Sequence, residues 1–161
     1  MVTNERIHEL LNYDQETGKL TWLVRRGGKA SAGSEAGKFN AFRHRQIRID
    51  RVTYMAHRIA WQYVYGVIPS GDIDHINGIP YDNRIANLRD VTRSENCQNV
   101  RRARLNSKTG VLGVTKRDYG YYAIIGIGGG KQKFLGSFST PELAHAAYIE
   151  AKRKYHKGCM I

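Results

Sequence analysis

Cysteine is nearly missing from this sequence. The 161 residues include two, Cys97 and Cys159. Neither belongs to a Cys-x-x-Cys pair, which argues against both a disulfide framework and a zinc ribbon. With so little cysteine, a reducing cytoplasm is the natural setting. Long apolar runs are also missing: none approaches the ~18 residues that cross a bilayer, so no membrane role is expected. The opening "MVTNERIHELL" lacks the charged-then-apolar order of a secretory leader, and none is expected. No internal repeat is apparent. Acidic residues are few, 14 against 26 lysines and arginines, giving a formal net charge of +12. Such an excess steers the protein towards polyanions, nucleic acid before anionic membrane.

What is present supports a packed core. Hydrophobic residues make up 41% of the chain, and its 161 residues are enough for one ordinary domain or two very small ones. The spacing of Ile7, Leu10 and Leu11 predicts a helix from Asn4 to Leu11, with Thr3 or Asn4 as its cap. A turn at Gly18 then leads into a strand. "GGKASAGSEAGK" reads as loop. Alternation through Ile47 and Ile49, then Val52 and Tyr54, predicts a hairpin turning at Asp50 and Arg51. "AHRIAWQYVYG" reads as a helix stopped near Gly66. After a basic connector come three short alternating segments, Leu112 to Lys116, Tyr121 to Ile127 and Lys133 to Phe138. A helix follows from near Thr140, with Pro141 in its first turn and Lys152, Arg153 and Lys154 in its last. The expected class is α+β.

One stretch is rich in side chains that build no core. "DIDHINGIPYDNRIANLRDVTRSENCQN", residues 72 to 99, is dense in Asp, His and Asn. Asn77-Gly78 signals a tight turn, which puts Asp74 and His75 on or beside the first strand of a hairpin, with "RIANLR" on its far side. Thr92 and Glu95 form a [ST]-x-x-[DE] capping pattern for a short helix on which Asn96 and Asn99 share a face. One carboxylate with several amide oxygens suits a hard divalent ion, Mg²⁺ or Mn²⁺. An adjacent neutral imidazole could then take a proton from water.

The segment from His57 to Asn99 closely resembles the HNH endonucleases of phage and homing type. The matching residues are "HRIAW" (57–61), "IDHING" (73–78), "DNRIANLR" (82–89) and "VTRSEN" (91–96). "YDQETGKLTW" near the N-terminus also looks like the lead-in common to that group. The resemblance implies a ββα-metal module: a two-stranded hairpin followed by a helix, clasping one metal ion. It makes His75 the general base, Asp74 a metal ligand, Asn87 the residue that holds the histidine loop, and Asn96 the second metal ligand, with Asn99 as a competitor for that place. Many members have His where Asn96 stands. His57 would orient the site, bond a phosphate, or serve structure only. Arg84 and Arg89 are candidate phosphate clamps.

Residues Lys108 to Ile161 resemble the APETALA2-type DNA-binding domain. The matching residues are "TGVLGVTK" (109–116), "YYAIIGI" (121–127), "KFLGSFSTPELAHAAYIEA" (133–151) and "YHKG" (155–158). The resemblance implies a three-stranded antiparallel sheet backed by one helix, with the sheet in the major groove. Strand spacing gives Lys116, Tyr121 and Lys133 one solvent face while Ile124 and Leu135 pack on the helix. Lys116, Arg117, Tyr119, Tyr121, Lys131 and Lys133 are the candidate contacts. The strands carry no Trp, which family members in plants use to read bases. Arg101, Arg102 and Arg104 of the connector would track phosphates.

The expected organisation is a β-rich lead-in (1–56), an HNH core (57–100), a basic connector (101–108) and the DNA grip (109–161). The expected function is a metal-dependent DNA endonuclease of phage or homing type. It would act in the bacterial cytoplasm as a monomer or homodimer, and nick or cut double-stranded DNA with some sequence preference. The rival reading is a DNA-binding regulator on an inactive nuclease fold.

Overall fold

The first seven-residue helix, α1 (Asn4–Leu10), is held at its start by the Thr3 side chain, which accepts from the Arg6 amide. It ends one residue earlier than the apolar spacing predicts, because Leu11 turns extended and opens β1 (Leu11–Asp14). β1 pairs antiparallel with β2 (Lys19–Trp22) across the Gly18 turn. The computed structural model describes residues 2–28 and 30–161. Contacts divide the chain into two compact units, Met1–Thr92 and Arg93–Ile161.

In the first unit, β3 (Lys38–Phe39), β4 (Arg45–Ile49) and β5 (Val52–Met55) form an antiparallel sheet in the order β3-β4-β5. The β4–β5 hairpin turns at Asp50 and Arg51, with φ of 45° and 71°. Two consecutive left-handed residues make the tight turn whose twist matches the strands. α2 (Ala56–Tyr65) leaves β5 directly and ends at Gly66 in the left-handed conformation, the usual helix stop. Its Ala56, Ile59 and Ala60 join Ile7, Leu10, Leu11, Leu20, Trp22, Ile47 and Ile49 in one core. β6 (Asp72–His75) and β7 (Leu88–Val91) form a separate two-stranded sheet whose Ile73 and Leu88 reach into that core.

The second unit opens with α3 (Arg93–Gln98). β8 (Val114–Arg117), β9 (Gly120–Gly128) and β10 (Lys131–Phe138) form an antiparallel sheet with β9 central, and α4 (Pro141–Tyr155) follows. Thr140 caps α4 by accepting from Leu143, and Pro141 stands in its first turn, where no amide hydrogen is needed. Ala144 packs on Val114 and Ala123, with Val111, Leu135, Phe138 and Tyr148 around them. Lys152 is not a solvated cation of the last turn. It is 1% exposed and donates to the Val100 carbonyl, while Arg101 donates to Met160 at 2.6 Å and the Gly158 amide to Gln98 at 2.9 Å. The connector start and the chain's last residues are therefore braced together. The two units make a mixed α+β protein of small antiparallel sheets.

Candidate functional site

β6 is fixed from both ends. Before it, Asp90 accepts from the Ser70 and Gly71 amides at 2.7 and 2.8 Å, and Arg58 of α2 donates to the carbonyls of Gly71 and Pro69. Along it, Asp74 pairs with Arg89 and His75 with Leu88. After it, the Asn77-Gly78 turn forms, with Gly78 at φ 70° and its amide on the His75 carbonyl. The chain does not return there as a strand. A loop from 76 to 87 intervenes, ending in a 3-10 turn (Ile85–Asn87), and β7 is the partner strand. Asn87 holds this loop closed. Its Oδ1 accepts from the Asn77 amide at 2.9 Å and its Nδ2 donates to the Asp82 carbonyl at 2.8 Å. Asn77 in turn donates to Asp82 at 2.7 Å.

His75 is 5% exposed. Burial, which disfavours the charged ring, lowers its pKa below the ordinary imidazole value against the opposing hydrogen bond to Asn83. That bond runs from Nε2 to Asn83 Oδ1 at 3.1 Å. An amide oxygen can only accept, so Nε2 carries the hydrogen and Nδ1 carries the lone pair. Asn83 is 3% exposed and is itself held, its carbonyl accepting from Tyr13 Oη at 2.7 Å. Burial pushes the Tyr13 phenol up to about 12, so it remains a donor at any working pH. Gly18 makes room for this segment: a Cβ there would lie 2.4 Å from the Arg84 nitrogen and 2.6 Å from the Asn83 carbonyl carbon.

Two more imidazoles stand against His75. The ring of His57, in the first turn of α2, lies 5.2 Å away and perpendicular. The ring of His44, just before β4, lies 5.6 Å away, and 5.4 Å from His57. One nitrogen from each of the three lies within 4.8 Å of the others. Nδ1 of His44 and Nδ1 of His57 are both buried with no hydrogen-bond partner. Desolvation drives His57 down to about 3, helped by the neighbouring histidines, and desolvation also lowers His44.

Asp74 is 6% exposed and paired with Arg89, whose Nε and terminal nitrogen both reach Oδ2, at 2.9 and 2.6 Å. Arg84 is similarly paired with Asp82 at 2.6 Å, and this partner holds the Asp82 carboxyl down at about 2. Both arginines expected to clamp phosphate thus hold carboxylates, Arg89 that of Asp74 on β6 and Arg84 that of Asp82 in the loop. Asn96 stands on α3, and Asn99 follows that helix, with its amide on the Asn96 carbonyl. In the connector Arg102 and Arg104 are exposed, whereas Arg101 is partly buried through its bond to Met160.

The strand faces of the second unit differ from the expected ones. Tyr121 packs in the core with Val114 and Ala123, and Lys133 is opposite the buried Ile125, donating to Tyr155 of α4 at 2.7 Å. Lys116 pairs with Tyr121 and shares that helix side. Ile124 lies on the other face, opposite Phe134. The face turned away from α4 carries Thr115, Arg117, Tyr122, Ile124 and Phe134. Tyr122 and Phe134 stack at 5.8 Å, and Arg117 lies over the Tyr122 ring at 5.3 Å. Tyr119 is 92% exposed in the β8–β9 turn, and Lys131 opens β10.

Asn83 and His44 escaped the sequence reading. Asn83 lies inside "DNRIANLR" but has no spacing that ties it to His75. His44 sits among arginines in a loop, where nothing local marks it.

The buried Asp74-His75 pair, the loop held by Asn87 and the short helix α3 fall within one continuous stretch of sequence. Residues 54–98 match the model of the HNH endonuclease family. The match supports the HNH part of the chain and indicates a nuclease of DNA, a class that works with a divalent metal. It runs across the boundary between the two units and does not extend to the three-stranded module. No curated protein and no solved structure matches the chain. Among the described residues, no helix is long and apolar enough to cross a membrane.

Proposed function

We propose that the protein is a metal-dependent DNA endonuclease in which His75 is the general base. The observation that carries this is a buried His75, bonded to Asn83 and adjacent to Asp74, inside a segment that matches the HNH endonucleases. His75 Nδ1 takes the proton from the attacking water. Asn83 fixes the tautomer that leaves this nitrogen basic, and Asn87 fixes the loop that carries Asn83. The donor chemistry fits a hard divalent ion such as Mg²⁺ or Mn²⁺, which takes carboxylate and amide oxygens. Asp74 would hold the ion, with Asn96 as the second ligand that the family resemblance implies. When bound, such an ion neutralises charge building on the scissile phosphate and the leaving oxygen.

The second unit serves as the DNA grip. Its strand-strand-strand-helix order supports the APETALA2-like reading. Arg117, Tyr119 and Lys131, together with Tyr122 and Phe134, are the proposed contacts of the open face and its turns. Lys116 and Lys133 reach phosphates from the helix side, and Tyr121 belongs to the core. Arg102 and Arg104 add phosphate contacts from the connector, with Arg101 bracing it.

Supercoiled plasmid incubated with the protein and Mg²⁺ or Mn²⁺ tests the reading. Wild type should convert it to nicked circles. His75→Ala should slow this by about 10²–10⁴-fold, the range of a lost general base, while still binding DNA. A regulator on an inactive fold would leave the plasmid supercoiled in both.

A further inference from the structure

We propose that His44, His57 and His75 form a second metal site, one for a borderline-soft cation such as zinc, and that zinc bound there switches the enzyme off. The inhibitory half rests on His75 being the general base; the site itself does not. Three elements of the first unit converge to make it: the loop before β4, the first turn of α2 and the end of β6. Their three ring nitrogens lie within 4.8 Å of one another. A tetrahedral zinc with bonds of about 2.0–2.1 Å needs nitrogens about 3.4 Å apart, so rotation of the rings by an ångström or so closes the set.

Two further observations point to a ligand. The Nδ1 atoms of His44 and His57 are buried and unpartnered, although His57 is only 9% exposed. A buried polar nitrogen left without a bond is costly, and two on neighbouring rings point to something that both rings can bind. The donor set also selects the cation. Three imidazoles suit zinc, copper or nickel and suit Mg²⁺ poorly. The ion that would support cleavage at the oxygen donors is therefore not the ion that this cluster prefers. Zinc on the cluster ties up the lone pair that His75 needs to take a proton from water, leaving Asp74 and DNA binding untouched.

Calorimetric titration of the full chain with ZnCl₂ in metal-free buffer reads the site without DNA or activity. One zinc per chain should bind with submicromolar affinity, undisturbed by excess Mg²⁺. Binding should weaken by about tenfold or more in each of H44Q and H57Q and stay unchanged in C97S. His44 lies in a loop, so H44Q carries the test if H57Q fails to fold by circular dichroism. In the plasmid assay with Mg²⁺, zinc over the same concentration range should suppress wild-type nicking about tenfold. EDTA followed by fresh Mg²⁺ should restore it. H44Q, measured against its own zinc-free rate, should resist. Equal zinc affinity in wild type and H44Q overturns the site. Zinc bound at the cluster with nicking undiminished overturns the inhibition. A wild type that never nicks with any metal defeats the nuclease reading instead and overturns the inhibition with it, and the titration alone then decides the site.

Discussion

A histidine that is to accept a proton from water has to arrive uncharged, and burial does this for His75 before any neighbour acts. The rate of nicking should therefore rise with pH through a midpoint below the ordinary imidazole value. Asn83→Asp places a carboxylate on Nε2, favours the imidazolium, and should move that midpoint up by about 1–3 pH units. Asn83→Ala should instead slow turnover by about tenfold or more by freeing the ring. Single-turnover nicking across pH distinguishes the two, and an unmoved midpoint in Asn83→Asp removes Asn83 from the site. His57 makes a separate claim on stability. Its folded pKa, near 3, is depressed from an unfolded value of 6.5. Between those values the unfolded chain binds a proton that the folded one refuses, so stability is complete above the unfolded pKa and falls as pH drops towards 3. The slope from this one group is about 1.4 kcal/mol per pH unit at most. Urea unfolding in EDTA should show it in wild type and lose it in His57→Gln.

At the scale of elements, the site depends on a turn that touches none of its reacting atoms. Gly18 sits at φ 71° with the Asn83–Arg84 backbone packed where a Cβ would be. Gly18→Ala adds left-handed strain and a backbone clash, and should cost about 1–3 kcal/mol. It should also lower nicking more than it lowers DNA binding, because it is Asn83 that must move. Thermal unfolding and plasmid nicking check the two halves. The elements themselves were largely legible. The Asp50-Arg51 hairpin, the α2 stop at Gly66, the three later strands and the helix start near Thr140 all rest on local signals. What did not show locally was which way strands face. β10 slips register between Lys131 and Gln132 and again between Phe134 and Gly136, and a strict alternation counted from Lys133 cannot see a bulge. Packing on α4 chose the side: Tyr121 and Lys133 share the face of the buried Ala123 and Ile125, and Tyr122 and Phe134 take the open one. The candidate site was legible in the same partial way. Asp74, His75 and Asn87 announce themselves as a cluster in sequence. Asn83 and His44 matter only because β1, β4 and the 76–87 loop fold back on His75, and no spacing records that.

For the whole molecule, the charge is not spread evenly. Residues 93–161 hold thirteen Lys and Arg against four Asp and Glu, whereas residues 1–92 hold thirteen against ten. In the first unit much of the basic charge is already engaged: Arg6 and Arg26 with Asp50, Arg45 with Glu35, Arg84 with Asp82, and Arg89 with Asp74. The positive field that draws DNA in thus belongs mainly to the second unit, while the first spends its cations on shaping carboxylates. Affinity should follow that division. Each phosphate contact releases condensed counterions, so log affinity falls against log salt with a slope of about −0.9 per contact. Replacing Arg102, Arg104 and Lys108 together by Gln should flatten the slope by up to about 2.7 and weaken all duplexes alike, since such contacts read no bases. Replacing Arg84 should scarcely alter the slope, because its guanidinium is committed to Asp82, but should loosen the loop that carries Asn83 and lower nicking at saturating DNA. Fluorescence anisotropy of a labelled duplex across salt concentrations measures both. A slope that drops with Arg84 and not with the connector would reverse the assignment, and would make the first unit the one that grips.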